Sequence, residues 1–295
     1  MKLVTFEKDG WREAGVVTGS GTGVIPVTAV GLPYRTMNEL VRSVTPEERR
    51  ALATAAAGGT LYSEIPLSEV RLLAPIPHPD QEIICLGVNY MDHAYESARD
   101  KKEDFHGERP YPVYFCKRVN EVTPDGGFID GHFDIQKNLD YEAELAVILG
   151  KDALNVTPEE AYSYVFGYTV LNDVSSRDLQ GRHKQFYFGK SLDTFTCMGP
   201  WIVTADDLPC PPVLGISSRV NGELRQNSST GNMIFDIPYI IGELSAGMTL
   251  KAGTVISTGT PAGVGMGFTP PKFLKSGDTV ECIIEGIGTL KNTVR

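Results

Sequence analysis

The stretch LDYEAELAVILG, residues 139–150, decides the fold. Its second half is apolar enough to form a buried strand, yet two glutamates stand near its start. Side chains two positions apart in a strand point to the same face, so Glu142 and Glu144 project side by side. Two like charges beside a core are costly unless one is protonated or a cation lies between them. A solvated strand end is the alternative for an isolated Glu-x-Glu pair.

A second apolar strand supplies a third carboxylate. The run VFGYTVL, residues 165–171, leads directly into Asn172 and Asp173. Glu142, Glu144 and Asp173 are all oxygen donors with no histidine beside them, and hard oxygen ligands select magnesium, manganese or calcium over zinc. Three carboxylates are too few to enclose calcium. They suit an octahedral magnesium site with positions left for water and substrate.

The residues after Asp173 suggest an anion-binding wall. If a helix begins at this point, Asp173, Arg177 and Gln180 have the spacing i, i+4, i+7 and share one face. A guanidinium and an amide on the side of a metal ligand can bind a carboxylate. An ordinary exposed helix face is the alternative.

Composition excludes several classes of function. The 295 residues are 41% hydrophobic and 22% charged, as in a globular protein, and their net charge is −10. An acidic chain without a basic stripe is a poor ligand for nucleic acid or anionic membranes. The longest clean apolar run, Leu145–Leu149, is too short for a membrane span, and the N-terminus has no secretory apolar region.

Cysteine usage predicts a reduced, cytoplasmic protein. The odd number and wide spacing, with no Cys-x-x-Cys, argue against a disulfide framework and against a zinc ribbon. The five are Cys85, Cys116, Cys197, Cys210 and Cys282.

The chain divides into residues 1–75, a small N-terminal α/β accessory domain, and residues 76–295, a β-rich catalytic domain. Glycine turns separate short N-terminal strands, and Thr45-Pro46-Glu47-Glu48 begins a capped helix that stops at Gly58-Gly59. Thr157-Pro158-Glu159-Glu160 has the same helix-start pattern. Residues 93–110 are highly charged and predict a mobile helical lid. Further strands are expected at residues 82–86, 111–116, 143–149 and 165–171, and a hairpin turn at residues 220–223.

Taken in order, six blocks of the chain resemble the fumarylacetoacetate hydrolase superfamily from about Ala74 to the C-terminus. Within it the chain is most similar to the YisK-like branch and the acylpyruvase–oxaloacetate decarboxylase branch. Residues 182–186 (RHKQF) and 267–274 (GFTPPKFL) favour the YisK-like branch. The six blocks are residues 87–96, 139–150, 167–180, 189–194, 221–226 and 257–265.

The resemblance implies an α+β, β-rich fold, a mixed β-sheet roll that usually forms a homodimer and holds one Mg²⁺ or Mn²⁺ ion. The roles it implies follow the family motifs. They are metal ligation by Glu142, Glu144 and Asp173; substrate binding by Arg177, Gln180, Lys190 and Thr260; and catalysis by His93, Glu96 and Lys190. Close relatives often carry lysine or arginine at Val88 and a small residue or proline at Arg118, so the group accepted at the far end of the substrate is open.

These residues lead to three functional hypotheses. The first is metal-dependent cleavage of a C–C bond in a 2-oxo carboxylate through a metal-stabilised enolate. Oxaloacetate decarboxylation and hydrolysis of acylpyruvates or fumarylpyruvate-type acids are its leading reactions, with a small 2-oxo acid as the partner. The second is isomerase, lyase or tautomerase chemistry on a 2-oxo diacid or a sugar-acid intermediate. The third is a weakly active relative with a binding or morphogenetic role.

Overall fold

A computed structural model describes residues 1–58, 62–101 and 104–295. Gly59 and residues 102–103 of the predicted lid lie outside the described residues. The helices are α1 (Met37–Ser43), α2 (Pro46–Ala56), α3 (Met91–Lys101), α4 (Arg177–His183), α5 (Phe186–Lys190) and α6 (Ile237–Ser245). The strands are β1 (Lys2–Lys8), β2 (Trp11–Val17), β3 (Gly23–Pro26), β4 (Ile65–Pro66), β5 (Arg71–Leu72), β6 (Ile83–Gly87), β7 (Val113–Lys117), β8 (Phe128–Ile129), β9 (Leu139–Asp140), β10 (Ala143–Leu149), β11 (Val165–Asp173), β12 (Ser175–Ser176), β13 (Thr196–Thr204), β14 (Gly215–Val220), β15 (Glu223–Ser229), β16 (Val255–Ser257), β17 (Thr279–Ile284) and β18 (Gly288–Val294).

Two large mixed sheets make up the β-rich fold. The first has the strand order β4-β3-β2-β1-β13-β11-β10-β16-β6-β7, with β5 paired to β1, and the second has the order β15-β14-β17-β18-β8. Each sheet contains one parallel pair, β16 with β6 and β18 with β8. The predicted β-rich, mixed-sheet fold class is confirmed.

Strand β10 is central because its two faces belong to different cores. Leu145 and Val147 pack in a cluster with residues of the second sheet, such as Ile216. Ala146 and Ile148 pack in another cluster with residues of the N-terminal helices. Both faces are therefore removed from water, which explains the uninterrupted apolar run. The two glutamates at its start enter this dry environment.

The N-terminal strands continue the large sheet across residue 75. Strand β1 pairs antiparallel with β13, with Leu3 opposite Ile202. Leu40 of α1 and Leu52 of α2 share a core cluster with Ile148. The domain division at residue 75 stays a prediction, and one sheet crosses it.

Several local predictions are confirmed. Helix α2 begins at a capping box in which Thr45 and Glu48 bond each other's backbone N–H groups. The hairpin between β14 and β15 turns at Asn221 and Gly222, both with positive φ, as this tight turn requires. Helix α3 lies within the predicted lid segment, whose mobility stays a prediction. No helix among the described residues is long and apolar enough to cross a membrane.

Two helix predictions are wrong. Residues 157–160 lead only into a short 3₁₀ turn at Ala161–Tyr164, because the chain must reverse there to enter β11. No helix follows Asp173 directly, since β11 includes that residue and a short strand precedes α4. The proposed common helix face of Asp173, Arg177 and Gln180 therefore does not exist, and the sheet brings Asp173 to the site instead.

Candidate active site

Three buried carboxylates meet where β10 and β11 lie side by side. Glu142 precedes β10, Glu144 is its second residue, and Asp173 ends β11. The antiparallel register places Ala143 opposite Asn172, so the acidic ends of the two strands coincide. One oxygen from each of Glu142, Glu144 and Asp173 lies within 4.8 Å of the others. The strand pairing thus assembles the predicted triad.

Glu144 has no cationic partner among the described residues. Its Oε2 accepts hydrogen bonds from the Ser257 hydroxyl at 2.5 Å and from the Gly259 N–H at 2.9 Å. Burial raises the pKa of Glu144, and the negative charges of Asp173 and Glu142 raise it further. An ionised Glu144 therefore needs another positive charge nearby.

Lys190 contacts the other two carboxylates from α5. Its Nζ lies 2.7 Å from Oε2 of Glu142 and 2.7 Å from Oδ2 of Asp173. Burial favours its neutral form, but the charges of Asp173 and Glu142 outweigh burial and raise the pKa of Lys190. Lys190 is therefore an ammonium group that can donate a proton or stabilise negative charge.

Arg177 begins α4 and faces the same carboxylates. Its Nη1 lies 2.7 Å from Glu142, and its Nε donates to Asp140 at 2.9 Å. Gln180 accepts a longer hydrogen bond from Nη1, at 3.3 Å. The remaining nitrogen, Nη2, is buried without a partner among the described residues. It is the donor that a bound anion can use.

Asp140 holds Arg177 in this position. Besides Arg177, its carboxylate accepts the backbone N–H groups of Gly265 at 2.6 Å and Met266 at 3.0 Å. A carboxylate bound on several sides cannot follow a rotating guanidinium, so Arg177 is pre-organised. Sequence analysis did not single out Asp140 for this role.

Thr260 is fixed at the far side of the triad. Its hydroxyl donates to the Ala143 carbonyl at 2.9 Å and accepts from Nε2 of Gln226 at 2.7 Å. Gln226 also holds the start of β10 by accepting from the Ala143 N–H at 3.0 Å. The loop that carries Thr260 is therefore tied to the strand that carries the glutamates.

Helix α3 places His93 and Glu96 over the site. The Nδ1 atom of His93 lies 2.9 Å from Oε2 of Glu96, and both side chains are buried. The other Glu96 oxygen accepts the Gly263 N–H at 3.0 Å, and Arg99 donates to the Gly267 carbonyl at 2.7 Å. These contacts dock α3 on the 257–267 loop and orient the imidazole.

A cavity of about 540 Å³ joins these groups. Six of the predicted site residues line it: His93, Glu142, Arg177, Gln180, Lys190 and Thr260. Its apolar walls include Val88, Phe115 and Phe186. Such a volume accommodates a small organic acid. The roles assigned to these residues stay predictions.

Lys117 is a component that sequence analysis missed. It ends β7, has no exposed surface, and donates to Asp173 at 2.5 Å and to the carbonyls of Phe195 and Val174. All three ammonium protons thus have acceptors. A lysine ending an apolar strand was the available signal, but only the tertiary fold shows that it reaches Asp173.

The donor set fits a divalent cation. Four buried carboxylates, at residues 140, 142, 144 and 173, face three cations: the buried Lys117 and Lys190 and the largely buried Arg177. The set is therefore one positive charge short, and Glu144 is the carboxylate without a pair. Hard oxygen ligands in this number suit Mg²⁺ or Mn²⁺. Glu142, Glu144 and Asp173 would hold the ion.

The sequence was compared with models of known protein families. The model of the fumarylacetoacetate (FAA) hydrolase C-terminal family matches residues 82–295. The chain belongs to the fumarylacetoacetate hydrolase family. The family match covers every residue of the site described above. Members of this family are therefore the relevant proteins with which to compare the site.

Three relatives illustrate the range of the family. Oxaloacetate tautomerase YisK of Bacillus subtilis is 51% identical over 237 residues, which cover 80% of this chain and 76% of that protein. The structure of a fumarylacetoacetate hydrolase from Exiguobacterium antarcticum is 40% identical with a TM-score of 0.83, over 100% of this chain and 99% of that one. Maleylpyruvate hydrolase from a Sphingobium species is 32% identical with a TM-score of 0.77, over 100% and 99% of the two chains.

Val88 and Arg118, the two positions at which this sequence departs from its close relatives, differ in their relation to the cavity. Val88 lines it, in a left-handed backbone conformation with φ of 58°. Arg118 is exposed and is not among the residues of the cavity wall. Val88 is therefore the departure that changes the surface offered to a substrate.

Proposed function

We propose that this chain is a divalent-metal-dependent oxaloacetate tautomerase, which interconverts the enol and keto forms of oxaloacetate. The observation that carries the proposal is that two proton-transfer groups on separate helices, His93 of α3 and Lys190 of α5, line one cavity beside the carboxylate triad. The 51% identity to a protein named as an oxaloacetate tautomerase supports the choice of substrate.

The reaction needs only proton transfer. Going from enol to keto, the O2 hydroxyl loses a proton, C3 gains one, and the double bond moves from C2–C3 to C2–O2, so the carbon skeleton stays intact. The bound cation would act as a Lewis acid toward the substrate oxygens. Lys190 faces the same region and stabilises negative charge on O2 while the hydroxyl proton passes to solvent water. His93, held by Glu96, delivers or removes the C3 proton.

Binding groups are arranged around this chemistry. The free Nη2 of Arg177 is available to the C1 carboxylate, and Gln180 and Thr260 complete the wall. Because Asp140 and the loop amides fix Arg177, its ordering costs little when substrate binds. The fixed cations Arg177 and Lys190 and the buried imidazole of His93 line one cavity, and this arrangement suits a small 2-oxo acid.

C–C bond cleavage is the second candidate. The observation that favours it is the His93–Glu96 pair, which could activate a water molecule as a general base. Hydrolysis of an acylpyruvate would use that water, whereas decarboxylation of oxaloacetate would not. A relative named as a maleylpyruvate hydrolase supports this candidate.

One assay separates the two candidates. Enol-oxaloacetate is prepared in aprotic solvent, diluted into buffer with the protein and Mg²⁺ or Mn²⁺, and followed by its ultraviolet absorbance, while pyruvate is measured by a coupled reduction. Fast enol decay without pyruvate supports the tautomerase, and this decay should be lost with Glu142→Ala. Pyruvate release at the rate of enol decay, or cleavage of acetylpyruvate with no effect on the enol, would favour C–C cleavage and contradict the first proposal.

A further inference from the structure

Arg109 is a half-buried cation beside the cavity. It lies between α3 and β7 and has an intermediate exposure. Its Nη2 is 3.5 Å from the Gly87 carbonyl, the limit for a hydrogen bond, and its Nε is buried without any partner among the described residues. A guanidinium has five N–H donors. Nε is thus a donor of Arg109 that neither water nor a described residue satisfies.

No ion pair joins Arg109 to any of the acidic side chains that the structure describes, which leave out those of residues 100 and 103. Burial lowers its pKa, which is the signature of a desolvated cation. Arg177 shows the opposite, because Asp140 and Glu142 outweigh its burial and raise its pKa. Taking a guanidinium out of water without an anion is unfavourable, and an anionic ligand would relieve that cost.

The position of Arg109 connects it to the substrate cavity. Gly87, whose carbonyl it faces, lines the cavity together with Val88. A Cβ atom at Gly87 would come within 3.0 Å of Phe186, another lining residue. Arg109 itself is not among the residues of the cavity wall. Gly87 beside it lines the same cavity as Glu142, Arg177 and Lys190, so a ligand held by those three can extend past Gly87 toward Arg109.

We propose that Arg109 binds the second carboxylate of a 2-oxo dicarboxylate whose first carboxylate and keto oxygen face the triad, and that it sets the preference for diacids over monoacids. This inference rests on the proposed function and deepens it. A guanidinium presents two parallel N–H groups to a carboxylate, so the contact is directional as well as electrostatic. Arg109 is a specificity residue and takes no part in proton transfer.

Lys184 is the competing source of positive charge. It also lines the cavity, but it is exposed at the C-terminal end of α4. A hydrated ammonium in water gains little from an ion pair. The half-buried guanidinium of Arg109 has lost more hydration and gains more from the same anion.

The test compares Arg109→Gln, Arg109→Lys and Lys184→Gln with the wild type, with Arg50→Gln as a control, because Arg50 is an exposed arginine on α2. Binding of oxaloacetate, pyruvate and oxalate is measured by competition and calorimetry in the presence of Mg²⁺. Oxalate is the probe for the triad end alone. For Arg109→Gln, the affinity for oxaloacetate should fall at least about tenfold, the size of one lost charged hydrogen bond. Affinities for pyruvate and oxalate should change less than about twofold.

Kinetics give an independent reading. In Arg109→Gln, KM for oxaloacetate should rise with kcat nearly unchanged, and Arg109→Lys should recover part of the loss. Equal weakening of oxalate and oxaloacetate would overturn the inference, since it would indicate a general disturbance of the site. So would an unchanged affinity for oxaloacetate, or a loss in Lys184→Gln in place of Arg109→Gln.

Failure of the proposed function has a different signature. If the wild type does not accelerate enol decay, the tautomerase proposal is wrong. The binding comparison still decides the role of Arg109, because oxaloacetate and pyruvate differ in the distal carboxylate whether or not they react.

Discussion

The ammonium group of Lys117 lies 2.5 Å from Oδ1 of Asp173, and neither side chain has any exposed surface. Lys190 contacts the other oxygen of the same carboxylate at 2.7 Å. Asp173 is therefore held from two sides, and Lys117 reaches it from the side of the protein interior. Removal of one partner from a buried ion pair leaves an uncompensated charge.

Lys117→Met should lower the free energy of unfolding by about 3 kcal/mol, because Asp173 loses its interior cation. It should also weaken binding of Mn²⁺, since the carboxylate is no longer fixed in orientation. Both are measured by urea denaturation with and without Mn²⁺. Lys137→Met, at an exposed position, is the control and should change stability by less than about 0.5 kcal/mol. A Lys117→Met protein as stable as the control would contradict this role.

Loss of charge should cost much more stability at Glu142 than at Glu144. Without added metal, Glu142→Gln leaves Arg177 and Lys190 partly unpaired and should cost about 3 kcal/mol. Glu144→Gln removes a charge that has no cationic partner and should cost less than about 1 kcal/mol. Both variants should lose the rise in melting temperature that Mn²⁺ gives the wild type. Each variant serves as the control for the other. An equal loss in free energy of unfolding for the two variants without metal would contradict the inference that Glu142 has cationic partners and Glu144 has none.

The pH dependence of stability follows from the same carboxyl group. The pKa of Glu144 is raised in the folded state by burial and by Asp173 and Glu142. The folded state then binds more protons than the unfolded state, so this group makes the metal-free protein less stable as pH rises above the ordinary range of a glutamate. The decline should be smaller in Glu144→Gln, as measured by denaturation across pH. A decline of equal size in both proteins would exclude Glu144 as its source.

Gly267 should be intolerant of a side chain because of its contact with Glu96. A Cβ atom at this position would lie 1.8 Å from Oε1 of Glu96. Gly267→Ala should displace Glu96, disorient His93 and lower kcat at least about tenfold, while oxalate affinity stays close to that of the wild type. Gly215→Ala is the control, because its nearest new neighbour is the flexible Glu285 carboxylate at 3.3 Å. An unchanged kcat in Gly267→Ala would argue against a role for Glu96 in orienting His93.

Val88 should be a source of strain at the cavity wall. A β-branched residue with φ of 58° is disfavoured. Val88→Asn places a residue that tolerates this conformation and should raise the free energy of unfolding by about 1 kcal/mol. Thermal and chemical denaturation measure the gain, with Val24→Asn as a contrasting variant, since buried Val24 lies in a strand and its replacement should destabilise. A loss of stability in Val88→Asn would show that packing outweighs strain.

Local sequence patterns predicted local features well. The capping box at Thr45 and the turn at Asn221-Gly222 depend on neighbouring residues and are confirmed. The Glu142–Glu144 spacing predicted a shared strand face, and the triad does converge. The helix predicted after Asp173 is wrong because pairing of β11 with its neighbours extends the strand to that residue.

Contacts between distant parts of the chain could not be predicted. Lys117 and Asp173 are 56 positions apart, and Arg109 and Gly87 meet across α3. The parallel pairing of β6 with β16 brings residues 83–87 beside the 257–260 loop. Such contacts depend on sheet order, which short-range periodicity does not encode.

The pairing of β1 with β13 has a practical consequence for dissecting this enzyme. Strand β13 lies next to β11, which ends in Asp173. A protein truncated to residues 76–295 would leave the backbone N–H and C=O groups of β13 that pair with β1 without partners. It would also expose the apolar surface that α1 and α2 cover. An exposed edge strand can pair with a strand of another chain, which leads to aggregation. Recombinant truncations at this point should therefore form insoluble aggregates, because the N-terminal strands and helices cover the edge and one face of the sheet that holds the acidic triad.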